Sequence, residues 1–248
     1  MLLKGRRVLL TGGAKRVGAV LAEALAARGA RLALHCNRSR REAEALARRL
    51  RAAHKVQVAV LAEDLAHPKG PGRLAQAALR ALGGVDVLVN NASVYAKHPF
   101  GSADAADFDL QMAVNARAPF LLTQALASSL SKARPGKVVN IADWSGERPY
   151  ADYAPYCASK AALLSLTKSS AKALAPGVLV NAVMPGPVLE PAEGGAAARR
   201  WRTATAKATL VGRIGSPSDV AAAVLFLLEG SDFITGASLP VEGGRLLA

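Results

Sequence analysis

Arg6-Arg-Val-Leu-Leu-Thr11-Gly-Gly-Ala-Lys-Arg16-Val-Gly18 opens the chain with an apolar strand run that breaks into a glycine turn, and an alanine-rich helix follows from Ala19 to Ala27. Glycines at such a turn let the backbone come close to a pyrophosphate. The free N–H groups and the dipole of the next helix attract that charge. The strand and helix that this motif requires stand on either side of it, so a dinucleotide is the expected ligand.

Working outward, apolar runs at Val8-Leu10, Arg31-Leu34, Val56-Leu61, Val85-Val89, Lys137-Ile141, Gly177-Val183 and Ser238-Val241 alternate with Ala/Leu-rich helical stretches. That alternation predicts an α/β fold, a single-domain Rossmann-type doubly wound parallel sheet of about seven strands with helices on both faces. The 248 residues suffice for one large core without a second domain. No linker, fixed-period repeat or low-complexity tract interrupts them. Cys36 and Cys157 are too few and too separated for a disulfide framework or a zinc site, and the four histidines show no ligand spacing, so no metal is expected. Each histidine reads as structural or surface. Reduced thiols, no apolar signal region and no span-length apolar run lead to the expectation of a soluble cytoplasmic protein away from membranes. The net charge of +14 is scattered over helices such as Arg40 to Arg51 and Arg199 to Lys207, with few aromatics between the charges. It supports only non-specific, salt-sensitive binding, so no specific nucleic-acid partner is expected.

A second stretch carries chemistry: Asp143-Trp-Ser-Gly-Glu-Arg-Pro-Tyr-Ala-Asp-Tyr-Ala-Pro-Tyr156-Cys-Ala-Ser-Lys160. Tyr156 and Lys160 are four residues apart, so on a helix they share a face, and the ammonium can draw the phenol's pKa down toward usable acidity. Tyr153 is a decoy by the same spacing, because four residues beyond it stands the uncharged Cys157.

With these two stretches in place the chain resembles the short-chain dehydrogenase/reductase family from about Gly5 to Gly244. Thr11-Gly12, Asn90-Asn91-Ala92, Asn115, Tyr156, Lys160 and Asn181-Ala-Val-Met-Pro185-Gly186 stand in that family's order. The resemblance implies that Thr11, Gly12 and Gly18 hold the phosphate turn and that Asn90, Asn91 and Ala92 end a strand beside the cofactor. It further implies that Asp64 belongs to the cofactor site, that Asn115 supports a proton relay, and that Pro185 and Gly186 lie against the nicotinamide. A homotetramer packed through the helices of Ala113 to Leu130 and after Tyr156 is also implied.

Two departures from the family's commonest pattern look like the pteridine reductase branch. Arg16 stands where most members carry the turn's middle glycine, and Asp143 stands at the usual catalytic serine, thirteen residues before Tyr156. Asn37-Arg38-Ser39 follows the second strand, again similar to that branch. No carboxylate there can grip a free ribose 2′-hydroxyl, whereas Arg16 and Arg38 can pair with a 2′-phosphate, so NADP(H) is the expected cofactor. An ionised aspartate cannot donate to a substrate carbonyl as serine would, but it opposes Lys160 and favours the protonated phenol. The alternative is a loop aspartate, with Ser145 supplying the serine function. Tyr95 falls where the branch stacks a pterin against the nicotinamide, and Ser93 reaches a pterin amine or a cofactor phosphate. Arg16, Asp143 and Tyr156 complete the expected substrate contacts.

Residues 187–210, rich in Pro, Gly, Ala and Arg, look like the substrate lid, with Glu190, Glu193 and Trp201 as candidate contacts. The leading expectation is an NADPH-dependent reductase of biopterin-, monapterin- or folate-like small molecules. A carbonyl reductase of the 3-oxoacyl thioester type and a non-catalytic NADP-binding sensor remain as alternatives.

Overall fold

The computed structural model describes residues 1–190 and 195–248. Seven parallel strands form one sheet in the order β3-β2-β1-β4-β5-β6-β7. They are β1 (Arg7–Leu10), β2 (Arg31–Cys36), β3 (Val58–Ala62), β4 (Val87–Asn90), β5 (Gly136–Ile141), β6 (Val178–Pro185) and β7 (Ser238–Val241). All seven apolar runs of the sequence are strands. Their continuous rather than alternating apolar character follows from burial on both faces. One face is covered by α1 (Arg16–Ala27), α2 (Arg40–His54) and α8 (Pro217–Glu229), whose Leu21, Leu25, Leu46, Leu50 and Val224 pack on Val8, Leu10, Leu32 and Val87. The other is covered by α3 (Gly70–Leu82), α5 (Ala118–Ser131) and α6 (Ala154–Leu174), through Leu74, Leu122, Leu126 and Ala171 on Leu9, Leu88, Val138 and Val180. Each such leucine taken fully out of water contributes about 1.5–3 kcal/mol.

The order in the sheet reverses between β1 and β4. Val8 is flanked by Leu32 on one side and Val87 on the other. At such a switch point the loops leaving the carboxyl ends of the strands diverge and open a crevice, which is where an open α/β sheet binds its ligand. α4 (Ala105–Met112) and α7 (Ala196–Lys207) lie outside the two layers. α4 starts with a reciprocal capping box between Asp104 and Asp107. Between α4 and α5 the chain makes one π-turn, Ala113–Arg117, instead of the continuous helical stretch from Ala113 to Leu130. The widened turn carries Asn115. No helix among the described residues is long and apolar enough to cross a membrane.

Candidate active site

A cleft of about 800 Å³ occupies the switch point, lined by residues of the glycine turn and of the Asp143–Lys160 stretch. On its β1–β2 side the wall is backbone. Gly12 has φ +63°, and a Cβ there would stand 2.8 Å from Ala92 Cα. Only glycine fits without displacing the neighbouring loop. A Cβ on Gly18 would run into the carbonyl of Gly12. α1 begins at Arg16, three residues earlier than its alanine run suggests. Arg16 itself enters at φ +53°, and no acidic residue occupies the first turn. The amino end of α1 therefore presents unopposed N–H groups and positive potential to the cleft.

Three side chains hold that turn in place. Thr11 Oγ1 accepts from the N–H groups of Asn91 and Ala92 at 2.9 Å each, while Asn91 Nδ2 donates to the carbonyls of Thr11 and Gly12 at 2.9 Å. Thr11 is buried and does not line the cleft, so it shapes the turn from behind instead of facing a phosphate. Asn90 is likewise buried, its Nδ2 donating to Asn140 Oδ1 at 2.8 Å. The third is His35, which the sequence left without a site role. Its Nδ1 accepts from Gly12 N–H at 3.2 Å and its Nε2 meets the Glu63 carbonyl at 3.0 Å. Burial pushes this imidazole's pKa down, against the pull of Glu63 and Asp64. The neutral tautomer with the proton on Nε2 satisfies both bonds. Asn37 and Asp64 line the same side of the cleft. Arg38 stands exposed just beyond Asn37, and neither it nor Ser39 lines the cleft.

The β5–α6 side is built from side chains instead. Pro155 sits in the first turn of α6, and the helix carries Tyr156 and Lys160 on one buried face. Tyr156 Oη donates to Asp143 Oδ2 at 2.9 Å, and Asp143 Oδ1 accepts from Ser145 N–H at 2.8 Å. Asp143 is thus at once the cap of a short 3₁₀ turn, Trp144–Gly146, and the partner of the phenol. The hydroxyl of Ser145 is fully buried, has no hydrogen-bond partner among the described residues and does not line the cleft. Of the two candidates for the serine's place, Asp143 is the one against Tyr156.

Lys160 Nζ donates to the Ile141 carbonyl at 2.8 Å and lies 5.6 Å from the centre of the Tyr156 ring. Burial pulls the ammonium down to about 8, with Asp143 opposing. Burial, followed by the charge and hydrogen bond of Asp143, raises the Tyr156 phenol well above its ordinary value. This corrects the simplest expectation, in which Lys160 lowers that pKa. The lysine is itself desolvated, and the carboxylate is hydrogen-bonded directly to the phenolic oxygen, so the proton stays on Tyr156.

Asn115 is buried and does not line the cleft. Its Oδ1 accepts from Val94 N–H at 2.8 Å and Ser93 Oγ at 3.1 Å, and its Nδ2 donates to the Val94 carbonyl and to Ser159 Oγ, at 2.9 Å each. It braces the Ser93–Val94 loop against α6 and makes no direct contact with Tyr156 Oη or Lys160 Nζ, so the expected relay is not closed by side chains. Ser93, Pro185 and Gly186 line the cleft.

The aromatic wall is larger than the sequence suggested. Tyr95 stacks on Tyr153 with ring centres 4.5 Å apart and planes 9° apart, and meets Tyr156 edge-on at 4.7 Å. Trp144 and Tyr150 meet edge-on at 5.3 Å. Tyr153, the decoy of the spacing argument, is not hydrogen-bonded as the acid would be, yet it lines the cleft and covers one face of Tyr95. From residues 187–210, Trp201 lines the cleft and Glu190 pairs with Arg202 at 2.5 Å. Glu193 lies outside the described residues.

Known proteins are similar to this chain over nearly its whole length. A family model described as enoyl-(acyl carrier protein) reductase matches residues 12–245. L-xylulose reductase of Bos taurus is 36% identical over 252 residues, spanning 98% of each chain. A 3-oxoacyl-[acyl-carrier-protein] reductase of Aquifex aeolicus is 33% identical over 248 residues, again 98% of each. The crystal structure of FolM alternative dihydrofolate reductase 1 from Brucella canis, complexed with NADP, is similar with a TM-score of 0.90 at 32% identity, covering 100% of this chain and 97% of that one.

Proposed function

The chain belongs to the short-chain dehydrogenase/reductase family, and on that premise we propose that it is an NADPH-dependent pteridine reductase acting on oxidised or dihydro pterins. It is an oxidoreductase with NADP(H) as cofactor. The glycine cradle at Gly12 and Gly18, the open amino end of α1 and the basic Lys15 and Arg16 on the cleft suit a dinucleotide diphosphate. When bound, the cofactor supplies hydride. Arg16 and the exposed Arg38 are the proposed partners of its 2′-phosphate, with Asn37, Ser39 and Asp64 around the adenosine and Asn91, Ala92, Ser93, Pro185 and Gly186 nearer the nicotinamide.

The observation that carries the pterin reading is the Tyr156–Asp143 hydrogen bond of 2.9 Å. A carboxylate beside the phenol keeps its proton in place for delivery to a ring nitrogen. Asp143 has no proton of its own to offer a ketone oxygen, which is what the family's usual serine supplies. Lys160 holds positive charge behind the phenol. Tyr95, 57% exposed despite its contact with Tyr153, offers surface against which a flat heteroaromatic ring can lie. Residues 187–210 are the proposed lid, with Trp201 as its aromatic contact. A homotetramer is proposed from Phe108, Leu110 and Phe120, partly exposed on α4 and α5. Light scattering at micromolar concentration should return four chains, and a monomeric mass would refute it.

The full-length likeness to a 3-oxoacyl-[acyl-carrier-protein] reductase favours one second reading, a carbonyl reductase. NADPH oxidation with dihydrobiopterin, dihydrofolate and an acetoacetyl thioester separates the two. Turnover of a pterin at least tenfold above that of the thioester supports the first reading, and the reverse ranking overturns it.

A further inference from the structure

Beyond the Tyr156–Asp143 pair the cleft shares Trp144, Tyr150 and Arg245 with a second cavity of about 420 Å³. Two guanidinium groups flank its aromatic wall. Arg245 Cζ lies 5.1 Å from the centre of the Trp144 ring, and Arg148 Cζ lies 5.9 Å from it. Their situations differ. Arg148 Nη1 is committed, donating to the backbone carbonyl of Arg245 at 2.8 Å and to Ala248 O at 2.7 Å. The Arg245 guanidinium has neither a hydrogen bond nor an ion pair among the described residues. It is half-buried and close enough to Tyr150 to register in that phenol's pKa, which burial and Asp143 push up to about 12 while Arg245 pulls it back. The acidic groups on the cleft are engaged elsewhere: Asp143 with Tyr156 and Ser145, Asp64 with Ala66 N–H, and Glu190 with Arg202.

We propose that this annex is a subsite for an anionic tail of the substrate, a carboxylate or a phosphate carried by the side chain of the reducible ring. Arg245 reads the charge, and Trp144 and Tyr150 support the spacer. The cofactor's phosphates belong to the glycine turn on the β1–β2 side of the sheet, so they do not compete for a cation on the β5 side. A guanidinium parked over an indole ring is already ordered and partly stripped of water, so pairing it with an anion costs little conformational freedom and gains from weak screening. A neutral side chain in the same place would leave that cation uncompensated. The subsite therefore favours pterins with acidic tails over those with only hydroxyl groups. The ring is named on the pterin reading above; the charge preference rests on Arg245 alone.

The test compares the unmutated enzyme with Arg245→Gln and Arg245→Lys on dihydrofolate, dihydroneopterin monophosphate and dihydrobiopterin, the last having a neutral side chain. In Arg245→Gln the ratio of the acidic substrate's KM to that of dihydrobiopterin should rise at least tenfold, and Arg245→Lys should restore part of it. A response by dihydrofolate only identifies a carboxylate tail, and one by the phosphate ester only identifies a phosphate tail. Equal KM changes for acidic and neutral pterins, or none, overturn the subsite. If the unmutated enzyme reduces no pterin, the ring assignment has failed, and acetoacetate against methyl acetoacetate tests the subsite alone. A preference for the acid that disappears in Arg245→Gln upholds it, and no such preference refutes it.

Discussion

The two sides of the cleft are made by different means. The β1–β2 side is a backbone surface, in which glycines remove side chains and Thr11, Asn91 and His35 fix the carbonyls and N–H groups from behind. The β5–α6 side is a side-chain surface, in which Asp143, Tyr156, Tyr95, Tyr153, Trp144 and Arg245 reach the cleft from separate segments. The first suits an invariant ligand, a diphosphate recognised by charge and shape. The second can change its substrate by exchanging single residues without disturbing the first.

Breaking each side takes an opposite operation. The largest effect is expected from removing one oxygen: Tyr156→Phe should lower turnover by roughly 10²-fold or more, the usual worth of a positioned acid, with NADPH affinity nearly intact. Tight-binding fluorescence titration beside steady-state kinetics checks this, and parallel losses in both would show the two sides to be coupled. Next comes adding one methyl. Gly12→Ala forces an alanine to φ +63° with its Cβ 2.8 Å from Ala92 Cα. The strain and displaced loop cost on the order of 1–3 kcal/mol, so NADPH should bind at least about fivefold more weakly, while Tyr156 is untouched.

A subtler change sharpens the chemistry. Asp143 raises the proton affinity of both Tyr156 and Lys160. In Asp143→Ser both pKa values should fall, so the alkaline limb of kcat/KM, set in the unmutated enzyme near the Lys160 value of about 8, should move to lower pH. Pterin turnover should drop, and a simple ketone or diketone should gain. A limb that stays in place would remove Asp143 from the proton's surroundings. The smallest effect is expected from Tyr153→Phe, since the stacking on Tyr95 uses the ring and not the hydroxyl. KM and kcat within about threefold of the unmutated values are predicted, and a loss comparable to that of Tyr156→Phe would transfer the acid to Tyr153.

What the sequence made readable follows the same division. The glycine turn, the seven strands and the Tyr156–Lys160 face are local patterns, set within one turn of helix or one strand and its loop. Asp143 was readable because its place is fixed by distance along the chain from Tyr156. The aromatic wall was not. Trp144, Tyr150 and Tyr153 stand within ten residues of one another, but what they face depends on the Tyr95 loop, about fifty residues before them, and on the carboxy-terminal segment with Arg245, about ninety after. His35 was hidden for a related reason: it occupies an ordinary strand position, and only the pairing of β2 with β1 brings it under Gly12. Ser145, two residues on, stood as the alternative to Asp143, and only the 3₁₀ turn shows its hydroxyl buried in the interior.

The His35 clasp gives the phosphate turn an acid limit. The imidazole must accept a proton-bearing N–H from Gly12, so a second ring proton would face that N–H instead of receiving it. The folded protein binds this proton less readily than the unfolded chain does, because burial depresses the pKa below its ordinary 6.5. The stabilisation it lends is complete above that value and drains away as the pH falls beneath it. Acidification therefore loosens the turn that receives the diphosphate, and dinucleotide retention is the property surrendered as this imidazole takes up its proton.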